Sequence, residues 1–500
     1  MARVSRGRAR APPSELGRAA TVGGRSFGLD GFMEDAGFAG TRSAGAVGRP
    51  GPSRLAGRLG GTGVLVGATV LAMLLAFVAK LPCRAGAWND NARQFQYFCY
   101  TDIYPLYDVE GFSAGKVAYL DHGVEYPVLT GGAMQAAAWL ISNVSESTRG
   151  PAFYDVTVAL LAICAVLGVL ATARAAGPDG RRQALMVAFS PGLILCAFIN
   201  WDLLAFALTA LWLAAWSARR SGWAGVFLGL AVAAKFYPIV LIGPLLLLCL
   251  RAGRLRDLSK TLVAAAVAWL AVNVPVLIAA PTGWQTFYTF SRERFADWGS
   301  IWYLFEYYRV PLLGDPGLAG LNARAAGSFA VACAAIAVLA LMVPRRPRLP
   351  QLCFLVLVAF LVTNKVWSPQ FVVWLVPLAV LARPRLWPYA FWQLTEIVYF
   401  FAIWSHLVSV IASDGYEVTG YQGITADWYF PAVVLRSVSL LLLAGYVVKD
   451  ILRPAQDIVR AGGRDDPAGG VIDEAEDRFR IRLFRRRVPA ADVSNSRTVP

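Results

Sequence analysis

A carboxylate stands among tyrosines in the segment CYTDIYPLY, residues 99–107, which follows the first long apolar run of the chain. The acid is Asp102. A carboxylate held just outside an apolar layer can take the proton of a hydroxyl group. Asp121 and Glu125, further along the same polar stretch, are its rivals for that task. The segment therefore predicts a general base for a reaction in which a hydroxyl group attacks.

Four basic residues stand out because they lie beside apolar runs and outside the arginine-rich loops and tails. An ionisable group at membrane depth costs free energy and is usually functional, and guanidinium forks match phosphate oxygens. These cations predict a site for the phosphate of an anionic lipid, with snorkelling or a solvated loop as the plainer alternatives. They are Lys235, Arg292, Arg294 and Lys365.

The segment NWDLLA, residues 200–205, begins another apolar run with Asp202. A carboxylate at a helix N-terminus is favoured by the helix dipole by roughly 0.3–1 kcal/mol, and Asn200 can act as an N-cap. Helix capping therefore explains this motif as well as ligand binding does, and both interpretations stay open.

The composition is typical of a membrane protein, because 57% of the 500 residues are hydrophobic and only 16% are charged. A soluble protein of this size needs more charge to cover its surface. Apolar runs near the ~20 residues that cross a bilayer as a helix recur along most of the chain. We predict an all-α polytopic membrane protein. The net charge of +15 does not indicate nucleic-acid binding, because the arginines lie in tails and short loops as the positive-inside rule expects.

The distribution of Lys and Arg predicts a multispan bundle in the plasma membrane with both termini cytoplasmic. A disordered tail, 1–60, and a flexible tail, 451–500, flank a membrane domain, 61–450, whose outer loops include 82–150 and 281–323. The apolar segment 126–142 is expected to be re-entrant or interfacial, unless it crosses and another short segment does not. The twelve expected spans are 61–80, 152–173, 183–199, 202–218, 222–235, 237–250, 259–280, 325–343, 350–364, 369–382, 387–411 and 428–448.

Two of the seven cysteines, Cys83 and Cys99, lie in the first outer loop, whereas the other five fall inside apolar spans. An oxidising compartment favours a disulfide, and closing this loop contributes about 3 kcal/mol. We predict this disulfide as a brace for the segment that carries Asp102. With only two histidines and no Cys/His cluster, a zinc site is not expected. The pair Asp108 and Glu110 leaves a divalent cation as an alternative.

Six of these segments, in this order, resemble glycosyltransferase family 87, whose members are integral membrane enzymes of the GT-C type, many of them actinobacterial. The best-known type is a polyprenol-phosphate-mannose-dependent mannosyltransferase of phosphatidylinositol mannoside synthesis. The resemblance covers roughly residues 60–450. The segments are CYTDIYPLY (99–107), EYPVLTG (125–131), NWDLLA (200–205), AAKFYP (233–238), FYTFSRERFADWGS (287–300) and TNKVWSPQFVVWL (363–375).

The resemblance implies a GT-C-type bundle with an extracytoplasmic first loop whose acid, Asp102, is the catalytic base. It implies transfer of a hexose, mannose in the first instance, from a polyprenyl-phosphate donor to a lipid or cell-envelope glycan. The reaction inverts the anomeric carbon, the four cations hold the donor phosphate, and no metal or other cofactor is needed. The substrate-binding residues that the motifs suggest are Tyr104, Glu125, Tyr126, Asn200, Asp202, Tyr237 and Gln370.

The chain departs from the best-known type at two motifs. Tyr126 is followed by Pro127 and Val128, where the type has two prolines, and WSPQ at 367–370 stands where the type has a histidine-bearing motif. The identity of the sugar and of the acceptor is therefore not carried over.

Two other classes of protein share the apolar composition. A transporter also has many spans and intramembrane charges, but it is expected to show an internal repeat with matched broken helices, which is not evident by eye. A lipid-handling protein without transferase activity has no need of Asp102, Asp202 and Lys235 together. Long outer loops rich in polar residues favour an enzyme over both.

Overall fold

The structure is a computed structural model that describes residues 52–178, 180–310 and 317–481, with side chains from residue 61 onward. The described residues are mostly helical and contain no strand, and one isolated β-bridge joins Ala118 to His122. Short 3-10 helices lie between the α-helices at Ala87–Asn89, Phe112–Ala114, Tyr237–Leu241, Pro369–Phe371, Pro454–Gln456 and Gly470–Ile472. This confirms the all-α class.

The α-helices of the described residues are numbered in chain order. They are α1 (Pro52–Val78), α2 (Leu81–Arg84), α3 (Arg93–Gln96), α4 (Ile103–Val109), α5 (Val128–Leu140), α6 (Glu146–Ala175), α7 (Arg181–Ala188), α8 (Pro191–Cys196), α9 (Asp202–Ser217), α10 (Ser221–Ala234), α11 (Ile242–Ala252), α12 (Leu255–Ala279), α13 (Pro281–Glu293), α14 (Ile301–Tyr307), α15 (Gly317–Met342), α16 (Leu349–Thr363), α17 (Val372–Ala382), α18 (Leu386–Ser413), α19 (Ala426–Leu452) and α20 (Ile458–Ala461).

Six helices of the described residues are long and apolar enough to cross a membrane: α1, α6, α12, α15, α18 and α19. Five shorter apolar helical segments of 10–17 residues lie near other expected spans. At 1.5 Å per residue, 16 residues rise only about 24 Å, less than the ~30 Å hydrocarbon core. The structure therefore supports a multi-pass helical protein and does not confirm twelve spans.

The span expected at 183–199 is broken into α7 and α8. Pro191 opens α8 and has no N–H to continue the preceding helix. The Ser190 hydroxyl instead accepts from the Leu193 N–H at 3.4 Å and caps the new helix. The apolar segment 126–142 forms α5, whose 13 residues rise only about 20 Å, too short for a full crossing.

The two ends of the bundle differ in chemistry. At one end the Asp102 N–H donates to the Ile199 carbonyl at 2.6 Å, and the Thr130 hydroxyl donates to the Ala234 carbonyl at 2.6 Å. We call this the first-loop end. Helices α9, α10 and α11 run from or to it, so Arg251, at the close of α11, lies at the opposite, arginine-rich end. The sequence therefore separates its polar motifs from its arginine-rich loops in space.

Helices α10 and α12 cross at very short range because two glycines face the α12 backbone. A Cβ on Gly225 would lie 2.2 Å from the Thr261 carbonyl oxygen, and one on Gly229 would lie 2.2 Å from that of Ala265. Small residues permit this backbone approach between membrane helices. The crossing fixes the end of α10, which leads directly into Lys235.

The C-terminal segment differs from the expectation of a flexible tail from residue 451. Helix α19 continues to Leu452, and residues 453–481 pack against the arginine-rich end. Asp457 pairs with Arg348 at 2.7 Å with both side chains buried, and Asp477 pairs with Arg251. The expectation was wrong for these residues because the ion pairs join positions more than 100 residues apart; 482–500 lie outside the described residues.

The N-terminal expectation is also changed in part. Residues 52–60, assigned to a disordered tail, form the first turns of α1. The remainder of that expectation, residues 1–51, lies outside the described residues.

Candidate active site

The segment that carries Asp102 is held at its base by several contacts. Cys83 and Cys99 form a disulfide with 5.7 Å between their Cα atoms, the pairing expected from the sequence. The indole of Trp88 donates to the Cys99 carbonyl at 3.1 Å. The Lys80 ammonium, nearly fully buried, donates to the Tyr100 carbonyl at 2.7 Å. Asp102 thus sits on a braced loop.

Asp102 itself lies just before α4, yet its side chain makes no capping hydrogen bond there. Its backbone N–H is used by Ile199, and the Thr101 hydroxyl donates to the Phe198 carbonyl at 2.8 Å. The Tyr100 hydroxyl donates to Asp102 Oδ1 at 2.5 Å. The carboxylate is therefore oriented by a neighbouring phenol and keeps Oδ2 for another partner, as a general base requires.

Lys80 is a residue that the sequence interpretation missed. Burial lowers the pKa of its ammonium to about 8, against the attraction of Asp102 and Cys196. The available signal was a lysine at the predicted outer end of span 1, where the positive-inside rule does not expect one. Its contact to the Tyr100 carbonyl makes it a positioning residue for the neighbouring acid.

Partly buried Lys235 forms an ion pair with buried Asp202, with Nζ 2.8 Å from Oδ1. Lys235 follows the last residue of α10 in extended conformation, and Asp202 opens α9. The ammonium lies 4.6 Å from the ring centre of Tyr126 and 5.8 Å from that of Phe371, within cation–π range. Asp202 is therefore a charge partner as well as a helix-terminal acid.

Asn200 does not act as the helix N-cap that the sequence suggested. Trp201 occupies the N-cap position of α9, and the Asn200 side chain accepts from the Asp202 N–H at 3.0 Å instead. This two-residue contact is an Asx turn. Asn200 is buried and shapes the turn that presents Asp202.

Glu125 and Tyr126 complete the centre of the site. Burial raises the pKa of Glu125, and the charge of Asp102 raises it further, against Arg294 and Lys235. Burial also raises the pKa of the Tyr126 phenol, followed by the charges of Asp102, Glu125 and Asp202. The charges of Asp102, Glu125 and Asp202 therefore all affect the pKa of the buried Tyr126 phenol, whose ring lies beside Lys235.

The cations expected to hold a phosphate are divided between two tasks. Lys365 donates to the carbonyls of Arg292 and Arg294 at 2.8 and 2.6 Å, and its own carbonyl accepts from Asp297 N–H. Burial and the charge of Arg294 lower the pKa of Lys365 to about 8. Lys365 therefore ties down the loop that carries the arginines.

The two arginines of this loop differ in setting. Arg294 is partly buried, with its guanidinium 5.4 Å from the ring centre of Phe290 and 4.0 Å from Asp297. Arg292 is exposed. Because its charge opposes the rise in the pKa of Glu125, Arg294 is the arginine of this loop that we associate with the acids.

The other suggested substrate-binding residues lie in different surroundings. Tyr104 stacks on Trp88 with ring centres 4.8 Å apart, and its hydroxyl donates to Asn89 at 3.1 Å. Tyr237 is a core residue that stacks on Trp374 at 4.3 Å. Tyr100, which the sequence interpretation did not select, is the tyrosine whose hydroxyl contacts Asp102.

Gln370 is buried and directly precedes Phe371, one of the rings around Lys235. A buried ion pair also contacts this segment. Arg436 lies 2.9 Å from Glu396 and donates to the Trp367 carbonyl at 3.1 Å. The Glu396–Arg436 pair thus joins α18 and α19 to the backbone of this segment.

Among the described residues, no group of three or more His, Cys, Asp or Glu side chains is arranged to hold a metal ion. The acid pair Asp108 and Glu110 is divided: Asp108 is exposed, whereas Glu110 is buried and accepts from the Glu125 N–H at 3.1 Å. This pair is therefore not a shared ligand set.

Comparison with known proteins finds one family similarity. Residues 136–369 match the family model for glycosyltransferase family 87, whereas no curated protein matches the chain. The matched range holds Asp202, Lys235 and Arg294, and Asp102 and Glu125 precede it. The match confirms the resemblance that the motifs indicate. With its long apolar helices, the chain is a multi-pass membrane protein whose residues 136–369 are similar to glycosyltransferase family 87.

Proposed function

We propose that the protein transfers a hexose, mannose in the first instance, from a polyprenyl-phosphate donor to a lipid or cell-envelope glycan acceptor, with inversion. The reaction takes place at the first-loop end, on the outer face of the plasma membrane. The arginine-rich end and both termini then face the cytoplasm, in accord with the positive-inside rule.

In this proposal Asp102 is the general base. The acceptor hydroxyl attacks the anomeric carbon while Asp102 Oδ2 takes its proton, and the bond from that carbon to the phosphate oxygen breaks. One new glycosidic bond forms, and polyprenyl phosphate leaves. The leaving group is a phosphate monoester, so stabilisation of its developing negative charge lowers the barrier.

The observation that carries this proposal is the setting of Asp102. Its side chain is not used for helix capping, Tyr100 orients one oxygen, and Lys235 pairs with Asp202 at the same end of the bundle. A solvated loop acid would not be built into braced backbone on both sides. Arg294 is the second cation for the phosphate, while Lys365 positions its loop.

Glu125 has a different role from Asp102 in this scheme. Because burial and the charge of Asp102 raise its pKa, Glu125 carries a proton over a wider pH range than an ordinary glutamate. A protonated carboxyl can donate a hydrogen bond to a sugar hydroxyl or to the donor phosphate. Two neighbouring acids can divide their roles in this way when one of them has a raised pKa.

The first test compares Asp102→Asn with the parent protein in detergent or nanodiscs, using radiolabelled polyprenyl-phosphate-mannose and a total lipid extract of the host. Asn keeps the shape of the side chain and cannot accept the proton. We expect transfer to fall by roughly 10²–10⁴-fold, the usual contribution of a positioned base. Asp108→Asn, an exposed acid on the helix that follows Asp102, is the matched control and should transfer normally.

Retention of full activity by a folded Asp102→Asn protein would remove Asp102 from the base role and leave Glu125 and Asp121 to be tested in turn. If the parent transfers no label, other lipid-linked sugars replace mannose in the same assay. Uptake of donor into sealed vesicles without formation of a glycolipid would favour a transporter instead.

A further inference from the structure

A groove at the arginine-rich end is separate from the site around Asp102. Its volume of about 900 Å³ is within the usual range for ligand pockets. It lies between helix α7, the start of α8 and the first half of α18. Its walls include Phe189, Leu386 and Leu394, which are about half exposed. Exposed apolar walls on a membrane protein face the acyl chains of the bilayer.

The mouth of this groove is basic. Arg181 and Arg182 open α7, line the groove and are exposed. Two arginines at the lipid–water boundary attract anionic headgroups, and their forks fit phosphate oxygens. A basic mouth above apolar walls is complementary to an anionic lipid, whose negative headgroup lies above apolar acyl chains.

A buried amide in the groove wall carries the inference further. Gln393 is 2% exposed, and its Oε1 accepts from the Ser190 hydroxyl at 2.7 Å and from the Gly192 N–H at 2.9 Å. Its Nε2 has no hydrogen-bond partner among the described residues. A buried donor without a partner costs free energy, so an acceptor supplied by a ligand is the natural complement.

The depth of this amide selects one class of lipid. Helix α7 begins at Arg181, and its eight residues rise about 12 Å. Ser190, bonded to Gln393, lies just beyond the other end of this helix, so the amide is about one helix length below the mouth. Arginine side chains span part of this distance. A diacyl glycerophospholipid has ester carbonyl acceptors just below its phosphate, whereas a polyprenyl phosphate has hydrocarbon there.

We propose that this groove binds an ester-linked anionic glycerophospholipid from the leaflet at the arginine-rich end. Arg181 and Arg182 hold the headgroup phosphate, an ester carbonyl accepts from Gln393 Nε2, and the acyl chains lie along the apolar wall. The site is distinct from the donor site at the first-loop end. The proposal does not depend on which sugar or acceptor the protein uses.

The test is native mass spectrometry of the full-length protein after delipidation, titrated with phosphatidylglycerol and, separately, phosphatidylcholine. We expect one phosphatidylglycerol to remain bound with about tenfold preference, the effect of roughly one charge-assisted hydrogen bond. Arg181→Gln with Arg182→Gln should abolish the preference. Arg254→Gln with Arg256→Gln removes the same charge from the exposed start of α12 at the same end and should retain the preference.

Two further arms test the groove itself. Ala390→Trp fills the groove without a change of charge and should lose the bound lipid, even if the arginine variant folds poorly. Ether-linked phosphatidylglycerol, which lacks ester carbonyls, should bind more weakly than the ester-linked lipid. The proposal is overturned if the arginine or tryptophan variant binds as the parent does, if phosphatidylcholine competes equally, or if polyprenyl phosphate binds more tightly than the ester-linked lipid.

Discussion

At the scale of the residue, Glu110 controls the backbone that presents Glu125. Its carboxyl is buried, accepts from the Glu125 N–H and lies 3.5 Å from His122 Nε2. Burial raises its pKa to about 7, whereas an unfolded glutamate titrates near ~4.3. Since the folded state holds the proton more tightly, the protonated carboxyl favours folding, and this contribution is complete below pH ~4.3 and is lost as the pH rises through about 7.

Glu110→Gln tests this linkage, because the amide keeps an acceptor for the Glu125 N–H and does not titrate. We expect the free energy of unfolding to decline less between pH ~4.5 and ~7.5 than in the parent protein, as measured by chemical denaturation in detergent across that range. Asp108→Asn, an exposed acid of the same loop, should leave the parent's profile unchanged. A Glu110→Gln profile parallel to that of the parent would contradict the raised pKa.

At the scale of the element, the α10–α12 crossing positions Lys235. Gly229→Ala places a Cβ 2.2 Å from the Ala265 carbonyl oxygen, so the helices must separate. We expect a loss of about 1–3 kcal/mol in stability, typical of overpacking, together with reduced transfer, because Lys235 shifts against Asp202. Thermal unfolding and the transfer assay measure both effects.

Gly222→Ala provides the matched control on the same helix. A Cβ there meets no atom within 4 Å, so replacing glycine should stabilise α10 by up to ~1 kcal/mol through helix propensity. The two substitutions are chemically identical and should have opposite signs. Equal shifts in unfolding temperature would show that propensity, and not the close crossing, governs this helix.

The elements that the sequence predicted well are those set by apolar length alone. Long helices such as α6 and α18 follow directly from runs that match the bilayer. The break before Pro191 divides an apolar run whose composition does not change, and its cap depends on Ser190. At the site, Asp102 stood out as an isolated acid, whereas Lys80 and Tyr100 matter only through contacts with distant backbone or a neighbour's carboxylate, which the order of residue types does not reveal.

At the scale of the whole molecule, the packed segment 453–481 joins the loops of the arginine-rich end. Arg348 donates to the carbonyls of Leu381 and Ala382 and pairs with Asp457, so one guanidinium connects the start of α16, the end of α17 and the C-terminal segment. Local composition suggested a flexible tail, because its mixed charges resemble those of disordered chains. The pairing partners lie far away in the sequence, which is why this docking could not be predicted.

Asp457→Ala should release this segment, because it leaves the buried Arg348 guanidinium without its carboxylate. Breaking a buried pair in this way costs about 3–5 kcal/mol, and Asp457 also caps α20 by accepting from the Val459 N–H. We expect limited proteolysis to cut between 453 and 481 much faster than in the parent protein. Glu476→Ala, an exposed acid of the same segment, should be cut at the parent rate.

Because the segment lies at the end opposite Asp102, the molecules that stay folded should still transfer sugar at the parent rate. Unchanged proteolysis of Asp457→Ala would mean that the other ion pairs, such as Arg251–Asp477, suffice to hold the segment in place.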